Sequence, residues 1–177
     1  MELYILRHGE AGKRLQAGSK DSERALTVAG EEEVKQVAKA VLRLGVTLDL
    51  IVTSPLKRAY QTAAIVAKEL KVKKRNMEEW DELKPEGKRE KLYQKLSQFN
   101  QESSIMAVGH EPYLSTMIGE IVFGNEINNN NNNNNNSIIL KKAGLAMIDL
   151  KSFQPKINGE LVWLLTPKHL KKIASAK

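Results

Sequence analysis

Short apolar runs alternate with longer amphipathic stretches along this 177-residue chain. The first run, Glu2-Leu3-Tyr4-Ile5-Leu6, stops at Arg7-His8-Gly9, and a short apolar run bounded by turn signals predicts a buried strand. Residues 11–23 are polar, lack periodicity and read as a loop. Thr27 then offers an N-cap, Val34, Val37, Ala38, Val41 and Leu42 recur at helical spacing, and Gly45 is suited to the C′ position. Residues 48–53 predict a second strand. Ser54-Pro55 follows as an N-cap and first-turn proline for a helix running to about residue 70. Residues 76–83 have room for a short strand before the polar loop Lys84-Pro85-Glu86-Gly87, and Leu92, Tyr93, Leu96 and Phe99 mark a third helix. Residues 104–108 predict another strong strand, ending at Gly109-His110-Glu111-Pro112, with Pro112 opening a fourth helix through Phe123. Strands at 144–150 and 160–166 and a basic helix from Thr166-Pro167 complete the chain.

Strands alternating with helices imply right-handed βαβ units on a mainly parallel sheet. The last two strands are joined by a connection without helical period, so one of them should run antiparallel. The expected fold is α/β: a three-layer α/β/α sandwich, mainly parallel with one antiparallel strand, in a single domain spanning 1–177. Residues 128–136 are nine consecutive asparagines with no apolar face to bury, and read as an exposed low-complexity loop.

Composition narrows the chemistry. There is no cysteine, which excludes disulfide scaffolds, thiolate metal sites and a Cys nucleophile. Met1 leads into the first strand with no basic leader, and no apolar run approaches the ~20 residues that span a bilayer, so a cytoplasmic, membrane-free protein is expected. The net charge of +7 favours an acidic or phosphorylated partner. Nucleic acid is not expected: aromatics are only 5%, and no ribonucleoprotein motif or finger spacing is present.

Ligands of open α/β sheets bind outside the C-terminal ends of the strands. Three strong strands end there in Arg7-His8-Gly9, in Ser54-Pro55 with Arg58 one turn on, and in Gly109-His110-Glu111, so two of only three histidines share that edge with two arginines. Arginines supply bidentate clamps for phosphate oxygens, and a neutral imidazole can attack phosphorus. No clustered ligand set implies a metal. His169 stands outside this group, in the basic C-terminal helix, and reads as structural or exposed.

These residues carry a resemblance. Leu6-Arg7-His8-Gly9-Glu10 resembles the Arg-His-Gly signature of the histidine phosphatase superfamily, which includes cofactor-dependent phosphoglycerate mutases. The stretch from Ser54-Pro55 through Arg58 to Thr62-Ala63 resembles its second motif, Val108-Gly109-His110-Glu111-Pro112 its third, and Leu26-Thr27-x-x-Gly30 a fourth. The short chain most resembles the SixA-type phosphohistidine phosphatases, which implies a phosphoglycerate mutase-like fold.

The resemblance implies a role for each motif residue. His8 matches the nucleophile that becomes phosphorylated, with its other ring nitrogen donating to a backbone carbonyl. Arg7 and Arg58 match the phosphate clamp, His110 a second histidine acting as a cation on a phosphoryl oxygen, and Arg24 a further substrate-binding arginine. Glu82, in Asp81-Glu82-Leu83, matches the stretch that supplies a general acid, with Asp81 and Glu86 as nearby rivals. The expected activity is metal-independent, cofactor-free hydrolysis of phosphohistidine on a protein, of the phosphoric monoester hydrolase type. The alternatives are a phosphatase of a small phosphorylated metabolite and, outside catalysis, a phosphate-dependent binding module. Nothing in the sequence sets the oligomeric state.

Overall fold

The computed structural model describes residues 1–13, 21–124 and 138–176, so the asparagine run at 128–136 lies outside the described residues. Six strands form one sheet in the order β3-β2-β4-β1-β5-β6. They are β1 (Glu2–Arg7), β2 (Leu50–Thr53), β3 (Met77–Glu79), β4 (Ser104–Gly109), β5 (Leu145–Ser152) and β6 (Asn158–Leu165). The pairs β1–β4, β2–β4 and β2–β3 are parallel. β5 is antiparallel to both of its neighbours and is the one strand running against the rest, as the sequence pattern predicts.

Alternation along β1 divides the core. Tyr4 and Leu6 face the layer of α1 (Val28–Arg43), α2 (Lys57–Glu69) and α5 (Pro167–Ser175), where Val34, Val41, Ala63 and Leu170 pack. Leu3 and Ile5 face the layer of α3 (Arg89–Leu96) and α4 (Tyr113–Phe123), with Leu92, Leu96, Leu114 and Met117. Both layers thus wrap one sheet, giving the α/β/α sandwich. A bidentate Arg89–Glu120 pair at 2.7 Å and the Tyr93 hydroxyl donating to Glu120 tie α3 to α4.

Helix ends follow local chemistry. Thr27 caps α1 by accepting from the Gly30 N–H at 2.9 Å. At the other end Gly45 takes φ +72°, while its N–H and that of Val46 bond back to Leu42 and Val41 in a Schellman motif. α2 starts later than expected, at Lys57, but the Ser54 hydroxyl still accepts from the Leu56 N–H at 3.3 Å ahead of the helix while also lying 2.9 Å from His110 Nε2. The position of Ser54 at the end of a central strand puts it in the site as well as ahead of the helix.

The start of α1 is pressed against the loop that follows β1. A Cβ on Gly30 would lie 2.2 Å from the Glu10 carbonyl oxygen, and one on Gly9 would lie 2.6 Å from a methyl of Val34. Glu10 also accepts from the Thr27 N–H at 2.9 Å. The Leu26-Thr27-x-x-Gly30 spacing therefore serves a close backbone approach. Replacing Gly30 by Ala should cost about 1–3 kcal/mol through overpacking. In a chain of this size that is a fall in Tm of about 2–12 °C, measurable by calorimetry.

Candidate active site

Register places the site. Arg7 pairs with Gly109 across β1 and β4, and the His8 N–H donates to the Gly109 carbonyl at 3.1 Å. The next residue on each strand is a histidine, and the imidazoles of His8 and His110 stand 5.1 Å apart, centroid to centroid. β2 ends beside them, with the Ser54 N–H donating to Val108 and the Ser54 hydroxyl 2.9 Å from His110 Nε2.

The tautomer of His8 is fixed by its own loop. Nδ1 lies 2.7 Å from the Gly9 carbonyl, which can only accept, so Nδ1 carries the proton and Nε2 keeps its lone pair. The Gly9 N–H donates to Thr62 Oγ1 at 3.1 Å, and that hydroxyl donates to the Arg58 carbonyl one turn earlier in α2. The peptide orienting the imidazole is thereby tied to the helix that presents Arg58. The unprotonated His8 Nε2 accepts from the Arg58 Nε–H at 3.3 Å.

Arg58 is 5% exposed and His110 2%, so the charges here are partly stripped of water. Burial lowers the pKa of His8 to about 4, with the Arg58, Arg7 and Arg24 guanidiniums pushing the same way and the Gly9 hydrogen bond opposing. Burial, with His8 and Arg58 alongside, lowers His110 to about 3. Burial and the neighbouring cations thus disfavour the imidazolium of His110 unless an anion supplies compensating charge.

Arg7 donates from Nη1 to the Leu140 carbonyl at 2.9 Å. Its Nε and His110 Nδ1 are buried without a hydrogen-bond partner among the described residues. Arg24 is held by the Gly12 carbonyl at 3.0 Å and by Asp21 at 2.8 Å, close enough to depress His8. Glu82 differs from this group. Its carboxylate accepts from Lys95 Nζ at 2.7 Å; burial alone would raise its pKa, but the Lys95 hydrogen bond, a backbone hydrogen bond and the Lys95 charge together leave it lowered. His169 is exposed, with Nδ1 3.0 Å from the Thr166 hydroxyl. A cleft of about 290 Å³ at the opposite end of the sheet, lined by Tyr93, Phe153 and Lys156 among others, contains none of the motif residues. Among the described residues no group of three or more His, Cys, Asp or Glu side chains is placed to hold a metal ion.

The family profile described as the histidine phosphatase superfamily (branch 1) matches residues 3–104. An uncharacterized protein of Picosynechococcus is 35% identical over 96% of this chain and 99% of its own length. This chain belongs to the histidine phosphatase superfamily. Its fold is similar to that of the protein histidine phosphatase SixA solved with tungstate, with a TM-score of 0.79 and 24% identity over 96% of this chain and 99% of that one. It is also similar to a phosphoserine phosphatase of Entamoeba histolytica complexed with phosphoserine, with a TM-score of 0.66 and 18% identity over 96% and 98% of the two chains.

Within this superfamily member, pattern reasoning found the strand-end residues but not the groups that hold them. Ser54 and Thr62 lie inside a quoted motif without a role assigned from it, and Asp21 lies in a loop without periodicity. The neutral state of the imidazoles has a direct readout. In NMR titrations His8 and His110 should both titrate well below the ordinary value of about 6.5. Bound inorganic phosphate should move His110 upward more than His8, because an adjacent anion favours the imidazolium while both ring nitrogens of His8 already hold hydrogen bonds. Either ring titrating near 6.5 in the free protein would contradict the burial argument.

Proposed function

We propose that this protein is a phosphatase that hydrolyses phosphohistidine on a protein through a covalent phospho-His8 intermediate. The observation that carries this reading is His8 itself. Its Nδ1 proton is committed to the Gly9 carbonyl, and its Nε2 is left unprotonated, accepting from the Arg58 Nε–H that stands over it. A binding module needs donors for phosphate but has no need of a tautomer-fixed nucleophile. The likeness to SixA along nearly the full length of both chains supports a phosphohistidine protein as substrate.

In the first step His8 Nε2 attacks phosphorus, the P–N bond to the substrate imidazole breaks, and its electron pair leaves with that ring. Arg7, Arg58 and Arg24 meet the phosphoryl oxygens, and His110 becomes a useful donor once the incoming anion raises its pKa. Water then attacks phospho-His8, releasing inorganic phosphate and restoring the Nε2 lone pair. Positive charge comes from arginines, so the reading assigns the reaction no metal and no organic cofactor. The departing imidazole takes a proton readily near neutral pH, which lessens the demand for a general acid. Glu82 can serve as that acid only after Lys95 releases it. No helix among the described residues is long and apolar enough to cross a membrane, and the reading places the enzyme in the cytoplasm with a soluble phosphoprotein.

His8→Ala should abolish turnover and leave no acid-labile phosphoenzyme, while vanadate still binds through the arginines. His110→Ala should slow both half-reactions by about a hundred- to a thousandfold, the usual loss for one preorganised donor. His169→Ala should match the wild type. Turnover of phosphohistidine protein should exceed that of small phosphate monoesters, and should persist after chelation. A preference for a small metabolite would replace the substrate, phosphate trapped on another histidine would replace the nucleophile, and activity restored only by a divalent ion would end the metal-free scheme.

A further inference from the structure

Asp21 opens a 3-10 turn, Asp21–Glu23, on the loop between β1 and α1. Its carboxylate bridges two guanidiniums: Oδ1 accepts from Arg24 Nη1 at 2.8 Å and Oδ2 from Arg58 Nη2 at 3.0 Å. Its backbone carbonyl accepts from Arg58 Nη1 at 2.9 Å. Arg58 therefore has Nη1 and Nη2 on Asp21 and Nε on His8, which fixes the guanidinium plane relative to the nucleophilic nitrogen.

We propose that Asp21 is a positioning residue that joins Arg58 and Arg24 into one phosphate-binding fork. Two neighbouring guanidiniums repel each other, and long side chains lose rotamer freedom when they are ordered on a ligand. A carboxylate between them offsets the repulsion and orders both before substrate arrives. The Asp21 side chain is 34% exposed and Arg58 only 6%, so Asp21 holds the buried arginine from its solvent side. Asp21 needs no contact with the reacting atoms for this role; it acts through the two arginines. Glu23, two residues on, makes no such bridge among the contacts seen, and its spacing from Arg24 does not place it between the cations.

The inference rests on the site binding phosphoryl groups, as the proposed function holds, but not on the identity of the phosphorylated substrate. Its test uses the full chain, with vanadate binding and turnover of a small aryl phosphate as readouts. Asp21→Asn keeps the size and removes the charge. It should weaken vanadate binding about tenfold, the scale of one charge-assisted hydrogen bond, and raise KM more than it lowers kcat. Asp21→Glu should recover part of the lost affinity. In an Arg24→Gln background the same Asp21→Asn change should cost less, because part of its effect passes through Arg24. Tm should stay close to that of the wild type, as the side chain is a partly exposed loop residue.

Unchanged vanadate affinity in Asp21→Asn would overturn the inference and leave the phosphatase reading intact. Tighter binding with a lower KM would also overturn it, by making Asp21 a competitor for the fork. Equal losses from Asp21→Asn and Asp21→Glu, with a matching fall in Tm, would reduce Asp21 to a fold contact. A wild-type protein that binds no vanadate would remove both the inference and the reading beneath it.

Discussion

Two imidazoles and a guanidinium buried side by side at the ends of parallel strands face one electrostatic constraint: in the absence of a ligand they have too little counter-charge to be ionised together. Arginine cannot give up its proton, so the imidazoles do. His8 settles this through its loop, donating from Nδ1 to the Gly9 carbonyl and leaving Nε2 unprotonated to accept from Arg58. His110 settles it with the Ser54 hydroxyl on one nitrogen and none of the described polar groups on the other. The unprotonated Nε2 on which the proposed nucleophilic role of His8 rests is thus a consequence of where β1 and β4 place it.

That placement depends on contacts remote from the chemistry. The loop after β1 has to turn tightly enough for the Gly9 carbonyl to reach back to the ring of His8. Its path is set by α1, whose Thr27 cap and Gly30 allow backbone to touch backbone at Glu10. It is set again by α2, whose Thr62 holds the Gly9 N–H while bonding the carbonyl of Arg58. The start of α1 supplies space and a hydrogen bond to Glu10, and α2 holds the Gly9 N–H. The same α2 carries Arg58, so the nucleophile and its first cation are positioned by a single rigid element.

The sheet, the helix layers and the sense of β5 were legible in the sequence because periodicity and turn residues act locally. Arg7, His8, Arg58 and His110 were legible because strand ends and short motifs mark them. What pattern could not supply was pairing through space. Asp21 is 37 residues from Arg58, and Gly9 is 53 from Thr62. No local period links such residues; only the stacking of β1 beside β4 and of α2 beneath them does. Glu82 shows the reverse failure. Its place in the chain suggested an acid, but Lys95, one helix later, holds the carboxylate in the form that cannot donate a proton. Ser54 has a second partner that its place in the chain does not reveal: besides the Leu56 N–H ahead of α2, its hydroxyl meets a histidine that arrives from another strand.

Neutral imidazoles also tie phosphate binding to protons. In the proposed reaction, a phosphoryl dianion entering between Arg58 and His110 supplies counter-charge, and the imidazolium that burial makes costly becomes favourable. Binding and protonation then assist each other, and by linkage each strengthens the other equally. His8 must escape this effect to attack, and its geometry favours that outcome. Its Nδ1 proton is already committed to Gly9, and protonation at Nε2 would displace the Arg58 Nε–H that points there. His110 has no such commitment: its Nδ1 is buried without a partner among the described residues, and the Ser54 hydroxyl beside Nε2 can donate or accept. Two histidines that begin alike are thus separated by their hydrogen bonds, one kept as a base and the other turned into a cation by the substrate itself.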